Sequence, residues 1–187
     1  IVGDVRNQDT LWKAMDRQDA IINLAGIVGT PAVNEQEFLA WEINYLLVKR
    51  LIEMRREGQM LIYPNTNAGY TPPGPGAMVD ETCPMEGRTE YAKTKIAAEK
   101  LILAAGGVSL RLASAYGAAP KMRDDSLLNF MVKEAVMTGE LRVFEPTAMR
   151  TFVHVRDVAR AFCFVLDGHY DSMAGQAYNA SECGLSK

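Results

Sequence analysis

Tyr91 and Lys95 stand four residues apart in a segment, EYAKTKIAAEKLILAA, whose pattern predicts a helix over Glu90–Ala105. Four residues make about one helical turn, so both side chains project from one face. An ammonium close to a phenol favours the phenolate, and such a pair can exchange a proton with an alcohol. A Tyr and a Lys at this spacing also arise by chance on amphipathic helices, so the pair gains weight only from a third group. Thr66 supplies it, lying 25 residues upstream, directly after a segment that reads as a buried strand and at the mouth of a polar loop. The carboxyl ends of parallel strands are where an open α/β sheet forms its ligand crevice. A hydroxyl there could share a substrate oxygen with Tyr91, although the ordinary role of a loop threonine is a turn or a cap.

The elements that must position these groups follow from the hydrophobic pattern. Ala20–Ala25 (AIINLA) is a short apolar run ending at Gly26, as a strand buried on both faces requires. Phe38–Arg56 reads as a helix with Leu47, Leu51 and Met54 on one stripe. Met60–Tyr63 reads as the next strand, ended at Pro64 by the turn NTNAGYTPPGPG. After the Tyr91 helix, Gly106 and Gly107 stop the chain and Val108–Leu112 forms another strand. ASAYGAAPKMRDDS is loop-like, and Leu127–Thr138 is helical, with Ser126 either its N-cap or a hydroxyl facing a substrate. LRVF and TFVHV read as strands, Asp157 caps a helix running to Leu166, and Gln176–Asn179 begins a last strand. Alternating strands and helices predict an α/β fold, a doubly wound parallel sheet, with part of a second lobe inserted after Tyr116. The division falls into residues 1–117, part of the doubly wound domain, and 118–187, a mixed segment that contributes to the second lobe and returns to the sheet.

Composition narrows the class further. The chain has 187 residues, 48% hydrophobic and 23% charged, with a formal charge of -3. That is a folded protein with no basic field for a phosphodiester backbone, so nucleic acid is not the expected partner. Cys83, Cys163 and Cys183 fit neither a full set of disulfides nor a zinc spacing, which points to a reducing, cytoplasmic setting. No apolar run approaches a membrane span and the first residues carry no signal-peptide pattern. His154 and His169 lack the neighbours of a metal site or a nucleophilic triad, so no metal is expected. Trp41, Phe130 and Phe162 fit helix stripes as core or interface residues.

YPNTNAGY followed by EYAKTK resembles the Ser/Thr segment and YxxxK helix of extended short-chain dehydrogenases of the NAD-dependent nucleotide-sugar epimerase/dehydratase family. GDVRN, NLAG, RLASAYG and RTFVHVRDVARAF fall in the family's order, and the likeness covers essentially the whole chain. The resemblance implies a Rossmann-like fold, Tyr91 as acid/base, Thr66 polarising the substrate hydroxyl, and Lys95 tuning Tyr91 and holding the nicotinamide ribose. It implies NAD as cofactor, with NADP left open, along Asp4 and Val5, along Leu24, Ala25 and Gly26, and near Asn44. It places Asn67, Ser114, Ser126 and Arg150 on the substrate side, where Arg150 is either a nucleotide-phosphate ligand or a solvated strand residue. A nucleotide sugar as substrate and a homodimer through the Phe38–Arg56 and Glu90–Ala105 helices belong to the same set of expectations.

Three departures from the family pattern matter. The strand, GxxGxxG turn and helix that receive the pyrophosphate are absent, so the chain reads as beginning near the third strand. If Ile1 is the true start, cofactor binding should be crippled. Asn67 and Ala68 stand where 4,6-dehydratases carry an Asp-Glu pair, which argues against dehydration and leaves epimerisation through a transient keto-sugar or simple oxidation and reduction. Ser114 stands where many members carry Asn. The readings that stay open are a nucleotide-sugar epimerase, a net sugar or carbonyl dehydrogenase/reductase, and a cofactor-binding scaffold without turnover.

Overall fold

Leu61, Ile62 and Tyr63 are almost wholly buried, and the alternation of a strand sends them to opposite faces of a sheet. In the computed structural model, which describes residues 1–71, 74, 77–141, 143 and 149–186 (backbone only for 183–186), they belong to β2 (Met60–Thr66). Leu61 and Tyr63 meet α1 (Gln8–Met15), α4 (Leu47–Met54) and α5 (Glu90–Ala104) through Leu11, Met15, Leu47, Val48, Leu51, Ala98 and Ile102. Ile62 faces the other way, onto a second core with Val108 and Leu110 of β3 (Val108–Leu112) and Phe162 of α7 (Val155–Phe164). A strand apolar on both faces is what a sheet covered by helices on both sides demands.

The main sheet has the order β1 (Ala20–Ile22), β2, β3, β6 (Ala177–Ala180), and every pairing is parallel. This is a Rossmann-like, doubly wound parallel sheet. A smaller sheet joins β4 (Ser114–Tyr116), β5 (Met149–His154) and β7 (Cys183–Ser186), with β5 and β7 antiparallel. The remaining helices are α2 (Thr30–Glu35), α3 (Glu37–Trp41), α6 (Leu127–Thr138) and α8 (Tyr170–Met173). α8 is tied to the sheet by Tyr170, whose hydroxyl accepts from Leu61 N at 3.1 Å and donates to Gly106 O at 3.0 Å.

α5 carries Tyr91 and Lys95 and is fixed at both ends. Thr89 caps it, its hydroxyl accepting from Ala92 N at 3.2 Å. At the other end Gly107 passes so close to β2 that a Cβ there would lie 2.9 Å from Leu61 O, so only glycine lets the helix turn directly into β3.

Several elements differ from the sequence pattern. β2 does not stop at Pro64 but runs to Thr66, paired with β3 from Ile62 onward. Proline is accommodated because β1 has ended opposite Ile62, leaving no neighbour on that side. β1 itself is three residues long, and Asn23–Ala25 leave the ladder as a loop. The expected Phe38–Arg56 helix is interrupted by a π segment, Glu42–Leu46, between α3 and α4. β4 lies in the stretch read as loop, held by pairing to β5. Asp157 lies in the first turn of α7, and the cap is His154, whose Nδ1 accepts from Arg156 N at 3.2 Å. α7 then breaks near Asp167 and Gly168, where Gly168 has φ 89°. α1 and α2 were not visible in the pattern, and the strand expected at LRVF lies largely outside the described residues.

Candidate functional site

Thr66 closes β2 at its carboxyl end, and one 3-10 turn, Asn67–Gly69, follows it. The threonine oxygen accepts from Ala68 N at 3.2 Å, the cap role its position suggested. Its side chain also faces the phenol of Tyr91 closely enough to favour the phenolate.

Tyr91 is part-buried, and burial pushes its pKa above the ordinary tyrosine value, against the opposing influence of Thr66 and the positive field of Arg123. The Lys95 ammonium turns away to donate to Pro64 O at 2.6 Å and sits 3.9 Å from the centroid of the Tyr63 ring. Burial lowers its pKa to about 7, with the charge of Glu99 acting in the opposite direction. No carboxylate forms an ion pair with it among the described residues.

Arg123, which the sequence reading did not single out, is the cation whose field reaches Tyr91. Asp125 grips its guanidinium through Nε at 2.9 Å and Nη2 at 2.6 Å. The same Nη2 lies 3.4 Å from where a Cβ on Gly29 would stand, so this arginine borders the loop after β1. No motif marks it, because it comes from a loop that only the fold carries back to α5.

That loop is organised by Asn44, in the π segment. Its side chain accepts from Ile27 N at 2.8 Å and donates to Ile27 O at 2.9 Å and Thr94 Oγ1 at 3.1 Å. One buried amide therefore ties the loop to α5 beside Lys95. A π segment widens the helix locally, and such segments recur at functional sites. Gly26 passes Asn44 closely, a Cβ there falling 3.1 Å from Asn44 Oδ1. Along the loop Leu24 is 72% exposed and Ala25 is partly buried. The Nδ2 of buried Asn23 has no hydrogen-bond partner among the described residues.

The other candidates are more dispersed. Asp4 is exposed and its carboxylate is held by Arg6, which lowers its pKa to about 2, and Val5 packs against the core beside it. Neither lies in a strand. Asn67 Nδ2 donates to Thr151 Oγ1, joining the Thr66 turn to β5. Ser114 is exposed on β4 and Arg150 is exposed on β5. Ser126 occupies the N-cap position of α6, but its hydroxyl donates to Arg123 O at 3.1 Å instead of accepting from the helix. Phe162 is core, Trp41 packs edge-on to Tyr45, and Phe130 is exposed. Among the described residues no cluster of His, Cys, Asp or Glu is arranged to hold a metal, and no helix is long and apolar enough to cross a membrane.

Fold and site together define a Rossmann-like α/β protein with a Thr-Tyr-Lys constellation at the carboxyl end of a parallel strand. The family model described as the NAD dependent epimerase/dehydratase family matches residues 1–181, and the chain belongs to that family. Among solved structures it is similar to RMD from Pseudomonas aeruginosa complexed with NADPH, at 22% identity and TM-score 0.84 over 100% of this chain and 68% of that one. UDP-glucuronic acid 4-epimerase from Bacillus cereus, in complex with UDP-glucuronic acid and NAD, matches at 22% identity and TM-score 0.85 over 98% of this chain and 60% of that one. dTDP-glucose 4,6-dehydratase from Bacillus anthracis, in complex with NAD, matches at 20% identity and TM-score 0.82 over 100% and 59%. The chain thus spans between 59% and 68% of the length of these structures.

Proposed function

We propose that this chain carries the catalytic part of an NAD(P)-dependent nucleotide-sugar epimerase working through a transient keto-sugar. The observation that carries the reading is the meeting of the Thr66 side chain and the Tyr91 phenol at the end of β2, with the part-buried Lys95 ammonium one helical turn away. Three features fit a dinucleotide. Lys95 is a part-buried cation with no ion pair among the described residues, Asn23 Nδ2 is a buried donor with no partner among them, and Leu24 leaves an apolar side chain open on the same loop. Lys95 and the Asn23–Gly26 loop would hold the nicotinamide end. When bound, that group supplies the redox chemistry.

The chain's own residues handle the proton. Tyr91 takes it from the sugar hydroxyl and later returns it, while Thr66 orients the same hydroxyl and stabilises the phenolate. Arg123 adds positive field on the phenolate side. The Asn67 carboxamide and Ala68 methyl offer no carboxyl group for eliminating water, which supports epimerisation over dehydration. Binding of NADP in place of NAD, and a homodimer through α3–α4 and α5, where Phe38 is 86% exposed, belong to the same proposal.

The test supplies UDP- and dTDP-hexoses with a catalytic amount of NAD or NADP and follows sugar stereochemistry by proton NMR and cofactor reduction by absorbance. An epimerase inverts a carbinol with no net reduced cofactor, and Tyr91→Phe abolishes the inversion while leaving NAD binding within about twofold. Accumulation of reduced cofactor in proportion to product would replace this reading with a net dehydrogenase. NAD binding without turnover of any sugar would leave the scaffold.

A further inference from the structure

Glu99 stands one turn beyond Lys95 on α5, as Lys95 stands one turn beyond Tyr91, and its side chain is buried. The carboxylate accepts from Asn65 Nδ2 at 2.6 Å, from Ser109 Oγ at 2.6 Å, and from Arg111 through Nε at 3.1 Å and Nη2 at 2.8 Å. Asn65 immediately precedes Thr66, while Ser109 and Arg111 lie on β3. The remaining nitrogen of Arg111 donates to the Tyr70 hydroxyl at 2.7 Å and to Glu81 O at 3.0 Å. Tyr70 in turn donates to Asn179 Oδ1 of β6 at 2.8 Å. One connected network therefore joins α5, three parallel strands and the segment that follows Thr66.

A buried ion pair is a weak source of stability, because apolar residues of similar size serve as well or better. Its location offers a more specific use. We propose that Glu99 is a positioning residue of the Thr66, Tyr91 and Lys95 site: backed by Arg111, its carboxylate clamps the end of β2 that carries Thr66 against α5 and sets a negative charge one turn from the Lys95 ammonium. The role in turnover rests on the epimerase reading above; the effect on Lys95 does not.

The groups around Lys95 make the claim specific. From β2 it meets the Pro64 carbonyl and the Tyr63 ring, and on α5 it is flanked by Tyr91 and Glu99, with Arg111 of β3 behind Glu99. Glu99 is the charge that favours the ammonium against burial. Removing it leaves the ammonium with burial unopposed and, if Arg111 remains, with a second uncompensated cation. Both effects drive the lysine toward its neutral form.

The experiment titrates Lys95 directly in the 187-residue chain by carbon-13 NMR of labelled lysine, the resonance being assigned by its loss in Lys95→Met. Glu99→Gln removes the charge, Glu99→Asp keeps it, and the double variant Glu99→Leu/Arg111→Met removes the pair without stranding a cation, so it folds if either variant does. In the neutral variants the Lys95 midpoint falls from about 7 by on the order of one pH unit, a tenfold smaller ammonium fraction, and the Asp variant stays near wild type. An unchanged midpoint in folded Gln and double variants would overturn the proposal and leave Glu99 a structural ion pair. A shifted midpoint in a chain that turns over no sugar would support it while striking down the epimerase reading.

Discussion

Lys95 is a cation in a place that folding alone would not choose. Its folded pKa of about 7 lies below the value of about 10.4 that it has in an unfolded chain. Between those values the unfolded chain binds more protons, so this residue makes stability rise with pH; below pH 7 its cost is fully present. Lys95→Met should therefore stabilise the cofactor-free protein by on the order of 3 kcal/mol at pH 6, with the gain shrinking toward pH 10. Denaturant unfolding at the two pH values checks this, and equal gains at both would contradict it. Tyr63, beneath the ammonium, has a buried hydroxyl without a hydrogen-bond partner among the described residues. Tyr63→Phe keeps the ring and removes that hydroxyl, so it should raise stability by about 1 kcal/mol without moving the Lys95 titration. A loss of stability would mean the hydroxyl is satisfied in solution. The pairing of Tyr91 with Lys95 was legible in the sequence because helical spacing is local; the direction in which the ammonium turns was not, because Pro64 and Tyr63 come from another element.

At the scale of elements, α5 serves both as core packing and as the platform of the site. Its inner face buries Ala92, Ile96, Ala98 and Ile102 while the same helix presents Tyr91, Lys95 and Glu99. Tyr91 lies in the first turn, where fraying is greatest, so the Thr89 cap controls it. Thr89→Ala should cost about 1 kcal/mol in urea denaturation, with serine restoring most of it; an alanine variant as stable as wild type would show that packing alone holds the turn. This helix and its end at Gly106 and Gly107 were readable because apolar period and glycine stops are local signals. The extension of β2 through Pro64 was not, since proline reads as a terminator unless the neighbouring strand is known to have ended. The π segment at Asn44 was equally hidden, because it is held by hydrogen bonds to Ile27 and Thr94 rather than by any propensity of its own residues.

Across the whole molecule, stability is unevenly distributed. Two buried clusters flank the parallel sheet, one under α1, α4 and α5 and the other under α7. α6 has no buried residue, and Phe130, Val132, Val136 and Met137 face outward. Native-state hydrogen exchange should show the amides of α6 opening at least about a hundredfold faster than those in the middle of α5. Comparable protection in both would mean that α6 is covered in solution by a second surface. The exposed apolar side of α6 also explains why its existence was plain from sequence while its packing was not: apolar period shows that a face wants burial, not what buries it.

The sequence by itself determined the alternation of strands and helices, the parallel α/β class, the helix that carries Tyr91 and Lys95, and the placement of Thr66 at the end of a buried strand. These depend on apolar period, caps and glycine stops, which act over a few residues. Only the tertiary structure decided that Lys95 turns to Pro64 and Tyr63, that Arg123 reaches Tyr91, that Asn44 ties the loop after β1 to α5, and that Glu99 and Arg111 join three strands behind the site. Each of those rests on interactions between residues 10 to 109 positions apart in the chain, and electrostatic and hydrogen-bond partners drawn from different elements are set by how the sheet and helices stack rather than by local pattern.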